Sequence, residues 1–128
     1  MQNKFSDDIK NVLVTGGAGF IGGALIRNLL INTRLKIFNL DKLGYSSDLT
    51  SINLLLNQTK DLNKRYEFLK VDLNNEKEIK EAIKIADPDL VFHLAAESHV
   101  DRSIDNPKDF ILSNIIGTFN LLNQLKNH

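Results

Sequence analysis

Hydrophobic and polar positions alternate along the chain in blocks that predict strands and helices in turn. Apolar residues at helical spacing begin at Phe20, follow Asn75, and begin again after Asn106 and Pro107, which offer an N-cap and a first-turn proline. Four short apolar runs predict strands, at residues 11–15, 35–40, 66–71 and 90–93. Strands that alternate with helices predict an α/β fold, a doubly wound parallel sheet of about four strands with helices on both faces.

Two segments follow this pattern less clearly. In residues 42–65 the apolar positions permit a helix without defining where it begins. The predicted core stripe of the last helix is Ile111, Ile115, Thr118, Leu122 and Leu125. Gly117 costs that helix about 1 kcal/mol relative to alanine, so its presence there predicts a close approach of another backbone.

The first strand ends in glycines, and the first helix begins directly after them. Gly16 permits a tight turn, Gly19 lets a pyrophosphate approach the backbone, and Gly22 lets the helix pack against its strand. The helix would direct its free N–H groups and the positive end of its dipole at the phosphates. A glycine-rich surface turn is the alternative. The position between a predicted strand and a predicted helix favours a dinucleotide-binding turn, and with it a Rossmann-type domain over residues 1–128.

Asp41 follows the second strand, roughly 20 residues beyond the glycines, where a carboxylate accepts hydrogen bonds from the ribose of a dinucleotide. Its negative charge would repel a 2′-phosphate, which predicts NAD rather than NADP. The neighbouring Lys42 weakens that inference, and a solvated aspartate at a strand end is the alternative. Asp72 and Leu73, after the third strand, could close over the adenine or could lead into the next helix.

The fourth strand runs into Leu94, Ala95 and Ala96, and polar residues follow directly. Small residues after a strand let a cofactor lie against the backbone, and ligands of doubly wound folds bind outside these carboxyl ends of the strands. We expect His93, at the end of the strand itself, to have a structural role.

Composition narrows the classes of partner. The 16 basic and 16 acidic side chains cancel, so no global field attracts nucleic acid or an anionic membrane. Without cysteine the chain has no disulfide framework and no thiolate metal site, and no metal is predicted. The N-terminus lacks the apolar core of a signal peptide, and no apolar run is long enough for a membrane helix, so we expect a cytoplasmic location.

Two runs of residues carry a resemblance to a known family. The turn at 15–22, Thr-Gly-Gly-Ala-Gly-Phe-Ile-Gly, resembles that of the extended short-chain dehydrogenases/reductases. Residues 92–103, Phe-His-Leu-Ala-Ala-Glu-Ser-His-Val-Asp-Arg-Ser, are similar to the dTDP-glucose 4,6-dehydratases of that family, and residues 41–43 and 114–118 agree. Nucleotide-sugar epimerases share the glycine turn but generally lack the run that begins at Glu97.

The resemblance implies NAD as the cofactor and, in the family, a nucleotide sugar (dTDP-glucose) as the substrate. It implies contacts to the pyrophosphate from Phe20 and Ile21, and a contact to the nucleotide sugar from Ser98. The other implied NAD contacts are Asp41, Lys42, Leu43 and Gly44 around the ribose, Asp72 and Leu73 at the adenine, Leu94, Ala95, Ala96, Glu97 and Ser98 beside the nicotinamide, and Ser113. Two positions depart from the family: Gly44 replaces a usual threonine of the ribose pocket, and Gly23 replaces a usual serine.

The family reaction is that of a lyase: NAD⁺ takes hydride from C4 of the sugar, water is lost across C5 and C6, and hydride returns to C6. The resemblance implies a helical Tyr-x-x-x-Lys pair and an acid–base carboxylate pair, all beyond His128. Tyr66 and Lys70 have that spacing but lie in a predicted strand, which separates them by roughly 13 Å.

We therefore expect the NAD-binding, amino-terminal part of such an enzyme, without dehydratase turnover of its own. A short non-catalytic dinucleotide-binding protein and a fragment of another nucleotide-sugar epimerase or dehydratase are the alternatives. The doubly wound order 3-2-1-4-5 also predicts a fifth strand that this sequence does not supply. The free edge of the fourth strand would then allow the chain to self-associate.

Overall fold

The computed structural model describes residues 5–44, 47–96, 105 and 107–128, with the backbone alone at residues 109 and 113. The strands are β1 (Asn11–Thr15), β2 (Lys36–Asp41), β3 (Tyr66–Lys70) and β4 (Leu90–His93). The helices are α1 (Phe20–Asn32), α2 (Thr50–Gln58), α3 (Glu76–Ala86), α4 (Pro107–Ile111) and α5 (Gly117–Lys126), with a 3₁₀ helix at Lys60–Arg65 and a π-helical segment at Leu112–Ile116. The predicted order of strands and helices is confirmed. Asn106, the predicted N-cap of the last helix, lies outside the described residues.

All four strands are parallel, in the order β3-β2-β1-β4. Thr15, the last residue of β1, is in register with Leu40 of β2 and with His93 of β4. This confirms the doubly wound arrangement and brings the carboxyl ends of three strands to one edge of the sheet. Among the described residues, no strand pairs with the outer side of β4.

Side chains of the sheet alternate between two apolar cores, one on each face. Val12 and Val14 pack with α1 and α2, and Leu13 packs with α3 and α5. The first core consists of Val12, Val14, Ile26, Leu29, Leu30, Leu35, Ile37, Ile52, Leu56 and Leu62. The second consists of Leu13, Phe38, Leu40, Val71, Leu73, Ile79, Ala82, Ile83, Ala86 and Leu121. A sheet covered on both faces explains why the strands read as continuous apolar runs.

The segment 42–65 forms the helix that its sequence permits, α2, and a 3₁₀ turn after it. Ile52 and Leu56 anchor α2 in the first core, and Leu62 anchors the 3₁₀ turn. Arg65 then donates to the carbonyls of Leu30, at 2.7 Å, and Leu35, at 2.8 Å. These charge-assisted bonds hold the start of β3 against the end of α1.

The last helix buries a different face from the one predicted. The predicted stripe is wrong for Ile111, Ile115 and Leu122, which are exposed. The buried residues of α5 are Gly117, Asn120 and Leu121.

Contacts with Leu73 explain the shift. A Cβ added at position 117 would lie 3.1 Å from the Leu73 Cβ, and the Asn120 side-chain amide donates to the Leu73 carbonyl at 2.9 Å. A glycine and an amide thus decide which face of α5 meets the sheet, and the π-helical turn before it shifts the phase of the stripe. Gly117 does lie at a close approach, but the neighbour is the Leu73 side chain and not, as predicted, the backbone of another segment.

Candidate functional site

The turn after β1 lies against both neighbouring strands. Gly16 adopts a left-handed backbone conformation (φ +73°), and its N–H donates to the Leu40 carbonyl at 2.8 Å. A Cβ at position 16 would lie 2.6 Å from the backbone nitrogen of Ala95. Both observations require glycine, because it alone adopts this conformation without strain and leaves room for the Ala95 backbone.

Two further glycines are required by close packing rather than by conformation. A Cβ at Gly22 would collide with the carbonyl oxygen of Gly16, so α1 can begin against the turn only with glycine there. Sequence reasoning assigned no role to Gly17, but a Cβ at that position would overlap the side-chain oxygen of Asn39, a fully buried residue of β2. An asparagine within an otherwise apolar strand was the available signal.

Helix α1 presents its amino end at this edge. Gly19 is its N-cap residue and offers no side-chain oxygen to the first-turn N–H groups, and the first turn contains no acidic residue. The side chains of Phe20 and Ile21 are 91% and 70% exposed, which places them beside the turn rather than in the core. A helix start without a side-chain cap favours an anion, such as a pyrophosphate, near its N–H groups.

Asp41 is 8% exposed and fixes the glycine turn. Its Oδ2 accepts the Ala18 N–H at 3.0 Å, and its Oδ1 accepts the Leu43 N–H at 2.7 Å and the Ser47 hydroxyl at 3.2 Å. The Ala18 carbonyl in turn accepts the N–H of Asp48 at 2.7 Å. Asp41 is therefore buried and bonded, unlike the solvated strand-end aspartate of the alternative reading.

The chain beyond Asp41 is open to solvent. Lys42, Leu43 and Gly44 are exposed, and Leu43 adopts a left-handed φ of +58°. This conformation is uncommon for a residue other than glycine and clusters at functional sites. A Cβ at position 44 would lie 3.2 Å from Cε of Lys42, so a threonine there would displace only the end of a flexible side chain.

Asp72 and Leu73 make contacts typical of a helix lead-in. Oδ1 of Asp72 accepts the Asn74 N–H at 2.9 Å, and the Asp72 N–H donates to Oε2 of Glu78 at 3.2 Å. Leu73 is 7% exposed and its side chain belongs to the second core. A contact of either residue with adenine stays a prediction.

The segment after β4 lies beside the glycine turn. The N–H groups of Leu94 and Ala95 donate to Oγ1 of Thr15 at 3.1 and 3.2 Å. Leu94 and Ala96 are exposed. The structure thus brings together two predicted segments that are nearly 80 residues apart in sequence. Glu97 and Ser98 lie outside the described residues, as does the side chain of Ser113.

Sequence reasoning missed Thr15. This residue is fully buried, and its Oγ1 also lies 2.6 Å from Nδ1 of His93. Burial lowers the pKa of His93 below its usual value, which favours a neutral ring. A threonine at the last position of an apolar strand was the only signal, and it did not identify its partners.

No helix in the described part of the chain is long and apolar enough to cross a membrane. Within those same residues, no group of three or more histidine, aspartate or glutamate side chains is placed to hold a metal ion.

Comparison with known proteins identifies the same family as the motifs. A family described as GDP-mannose 4,6 dehydratase matches residues 13–128. A dTDP-glucose 4,6-dehydratase of Neisseria gonorrhoeae is 49% identical over 113 residues, which are 88% of this chain and 31% of that protein. The chain thus spans about a third of the length of the curated relatives it matches.

Solved structures agree with the sequence comparison. A double mutant of a Streptomyces venezuelae dTDP-glucose 4,6-dehydratase, solved with NAD and DAU bound, is 32% identical, with a TM-score of 0.78 over 91% of this chain and 35% of that one. A UDP-glucose-4-epimerase of Stenotrophomonas maltophila, solved with NAD and formylated UDP-arabinopyranose, is 28% identical, with a TM-score of 0.78 over 92% of this chain and 34% of that one.

Proposed function

We propose that this chain, which belongs to the GDP-mannose 4,6-dehydratase family, is the amino-terminal, NAD-binding part of a dTDP-glucose 4,6-dehydratase. One observation carries the proposal. The buried Asp41 carboxylate accepts the Ala18 N–H at 3.0 Å and so joins the glycine turn, the end of β2 and the start of α1 in one preformed edge. Such an edge, at the carboxyl ends of parallel strands, is where doubly wound folds bind dinucleotides.

We expect NAD to lie along this edge. Gly16 and Gly22 let the turn pack against its neighbours, and Gly19, where an added Cβ would meet only the Gly16 carbonyl oxygen at 3.2 Å, leaves room for a pyrophosphate. The N–H groups of Phe20 and Ile21 would face that pyrophosphate. The remaining proposed contacts are Asp41, Lys42, Leu43, Gly44, Asp72, Leu73, Leu94, Ala95, Ala96, Glu97, Ser98 and Ser113. Bound NAD would supply a hydride acceptor that later returns the hydride.

Asp41 supports selectivity for NAD over NADP. A carboxylate offers about four acceptor positions, and three described donors occupy three of them. Among the described residues no donor takes the fourth position, and we propose that a ribose hydroxyl does. A 2′-phosphate would instead meet a negative charge with little water to screen it.

We infer that this chain binds the cofactor without catalysing dehydration. A tyrosine base needs a lowered pKa, whereas burial raises the pKa of Tyr66, and the charge of Asp41 adds to this while the hydrogen bond from Asn39 opposes it. Tyr66 and Lys70 also lie on strand β3 rather than on a helix, so they are not neighbours on one face.

Two further expectations belong to this proposal. The lack of cysteine fits a protein of the reducing cytoplasm, where we place it. The outer side of β4, unpaired among the described strands, would let two copies associate edge to edge. We expect dTDP-glucose to be bound only by the longer chains of the family.

Calorimetric titration of the chain with NAD⁺ and NADP⁺ tests the cofactor assignment. We expect NAD⁺ to bind at least tenfold more tightly, a difference of about 1.4 kcal/mol. Equal affinity for the two would contradict the role of Asp41, and no binding of either would contradict the proposed function.

Incubation with dTDP-glucose and NAD⁺ tests the lack of turnover. We expect no 4-keto-6-deoxy product above a blank without protein. Product that disappears in Tyr66→Phe would show that Tyr66 is catalytic after all.

A further inference from the structure

Thr15, His93 and Thr118 form a chain of hydrogen bonds from the cofactor edge to α5. Oγ1 of Thr15 lies 2.6 Å from Nδ1 of His93, and Nε2 of the same ring lies 2.8 Å from Oγ1 of Thr118. The Thr118 hydroxyl donates to the carbonyl of Asn114, in the π-helical segment, at 3.0 Å. One half-buried imidazole thus connects a hydroxyl on β1 with a hydroxyl on α5, which is bonded in turn to a carbonyl of the π-helical segment.

The geometry fixes which group donates and which accepts in each hydrogen bond of this Thr15–His93–Thr118 series. A hydroxyl has two acceptor positions and one proton. Thr15 Oγ1 accepts the N–H groups of Leu94 and Ala95, at 3.1 and 3.2 Å, so its proton must be directed at His93. Nδ1 of His93 is then an acceptor, and the neutral ring carries its proton on Nε2.

The far end of the chain requires the same direction. The proton of Thr118 is engaged by the Asn114 carbonyl, which leaves its oxygen to accept from Nε2 of His93. Both threonines therefore select one tautomer of the histidine, and each assignment is independent of the other.

We propose that His93, held as the Nε2–H tautomer by Thr15 and Thr118, is a positioning residue that couples α5 to the Leu94–Ala95 segment of the NAD site. Thr15 holds this segment with two acceptors, because its Oγ1 accepts the N–H groups of Leu94 and Ala95 and its backbone carbonyl also accepts the Leu94 N–H at 3.1 Å. The hydroxyl is the acceptor described for the Ala95 N–H, so its position bears most on where Ala95 lies. A Cβ on Gly16, which follows Thr15, would collide with the Ala95 backbone, so the glycine turn and the Ala95 backbone are in close contact there. The effect on NAD rests on the proposed function, whereas the tautomer does not.

The first test reads the tautomer in the absence of cofactor. Long-range ¹H–¹⁵N spectra of the ¹⁵N-labelled chain distinguish a protonated ring nitrogen from an unprotonated one, and loss of the signal in His93→Asn assigns it among the three histidines. We expect protonation at Nε2 and a bare Nδ1 at neutral pH. A proton on Nδ1, or rapid exchange between the two tautomers, would overturn the proposal.

The second test substitutes Thr118, which is not among the proposed cofactor contacts. Thr118→Val keeps the shape of the side chain but removes the acceptor for His93, and Thr118→Ser restores the hydroxyl. We expect Thr118→Val to weaken NAD⁺ binding about fivefold and to accelerate amide exchange at Leu94 and Ala95, and Thr118→Ser to restore both.

Thr33→Val is the matched control. Thr33 is 4% exposed, donates to the Leu29 carbonyl at 2.6 Å and accepts the Leu35 N–H at 3.2 Å, at the opposite end of α1 from the glycine turn. Its loss should lower stability without changing NAD⁺ affinity or exchange at Leu94. If Thr118→Val behaved like Thr33→Val, the role of Thr118 would be structural only and the coupling would be wrong.

The two readouts separate this inference from the proposed function. If the wild-type chain does not bind NAD⁺, the proposed function is wrong. The histidine tautomer and the amide exchange at Leu94 and Ala95 can still be measured without cofactor, and they decide whether Thr118 is coupled to that segment.

Discussion

At each end of the sheet an aspartate side chain accepts backbone N–H groups, but the two aspartates differ in burial. At the amino end, Oδ2 of Asp89 accepts the N–H groups of Lys10 and Asn11 at 2.9 and 2.8 Å, and so joins β4 to β1. At the carboxyl end, Asp41 accepts the N–H of Ala18 from the glycine turn. Asp89 is exposed, whereas Asp41 is buried. The amino-end contact joins only parts of this chain, whereas we propose that the carboxyl-end contact also shapes the surface that binds NAD.

The glycines sharpen this contrast. Five of the seven lie between residues 16 and 23, at the carboxyl end of β1. At Gly16 and Gly22 a side chain would collide with backbone, and at Gly17 with the side chains of Asn39 and Ile26. Close backbone packing that requires glycine is therefore concentrated at the carboxyl end of β1, and the amino end has none of these five glycines.

The largest effect is expected from breaking that placement. Gly22→Ala would put a Cβ against the Gly16 carbonyl and should destabilise the fold by about 3 kcal/mol or more, because backbone rather than a flexible side chain is in the way. Urea unfolding followed by circular dichroism measures this.

Gly23→Ala is its matched control. A Cβ at position 23 would lie 3.4 Å from the Gly17 carbonyl and 4.0 Å from Ile52, both ordinary contacts. The higher helix propensity of alanine should then stabilise the chain by about 0.5–1 kcal/mol. Equal destabilisation by both substitutions would contradict the packing role assigned to Gly22.

The next largest effect compares the two aspartates. Asp41→Ala leaves the N–H of Ala18 without its acceptor, which should cost about 1–3 kcal/mol of stability and weaken NAD⁺ binding about tenfold. Asp41→Asn removes the charge but keeps one accepting oxygen, so it should narrow the affinity gap between NAD⁺ and NADP⁺. It should still lower stability, because its NH₂ group would face one of the two backbone N–H groups that Asp41 accepts. Asp89→Asn should leave both affinities unchanged. An equal loss of NAD⁺ affinity in the Asp89 variant would show that the two ends do not differ as described.

Local features of the site could be predicted from the sequence, and features that depend on strand register could not. Gly16, Gly22 and Asp41 lie at fixed spacings from a strand end, and the spacing alone suggests their roles. Thr15 meets His93, and Gly17 meets Asn39, only because distant strands align side by side. No local pattern encodes that alignment.

The last helix shows the same limit in its packing. Apolar periodicity predicted that Ile115 and Leu122 would be buried, yet Gly117 and Asn120 make the contacts with Leu73. A hydrophobic pattern indicates which residues tend to be buried, but here the close contact of Gly117 with the Leu73 side chain and the amide hydrogen bond of Asn120 set the orientation of the helix.

A smaller effect is expected at the free edge of β4. Val91 packs against the second core from the edge strand, and the strand's outer side pairs with no described residue. Sedimentation over a concentration series should show self-association of the wild-type chain. Val91→Lys should reduce it by adding charge at the edge, and Val91→Thr, which keeps the shape, should not. A wild-type chain that stays monomeric at high concentration and unfolds cooperatively would contradict association through this edge.

The smallest effect separates the two ends by pH. Burial lowers the pKa of His93 from its usual 6.5, whereas hydrogen bonds from Asn11 and Lys10 lower the pKa of Asp89 from 3.8. Above pH 6.5 His93 is neutral in both the folded and the unfolded chain and costs nothing. As the pH falls below 6.5, the unfolded chain takes up a proton that the folded chain resists, so stability decreases until the lowered pKa is reached. The contribution of Asp89 is present above pH 3.8 and is lost only below it, as the carboxylate is protonated.

Urea unfolding at a series of pH values should therefore show two separate declines in stability as the pH falls. His93→Asn should remove the upper one alone and Asp89→Asn the lower one alone, with His128→Asn as the control that leaves the upper decline in place. An upper decline that persists in His93→Asn would show that a group other than His93 causes it and that His93 does not resist protonation in the fold.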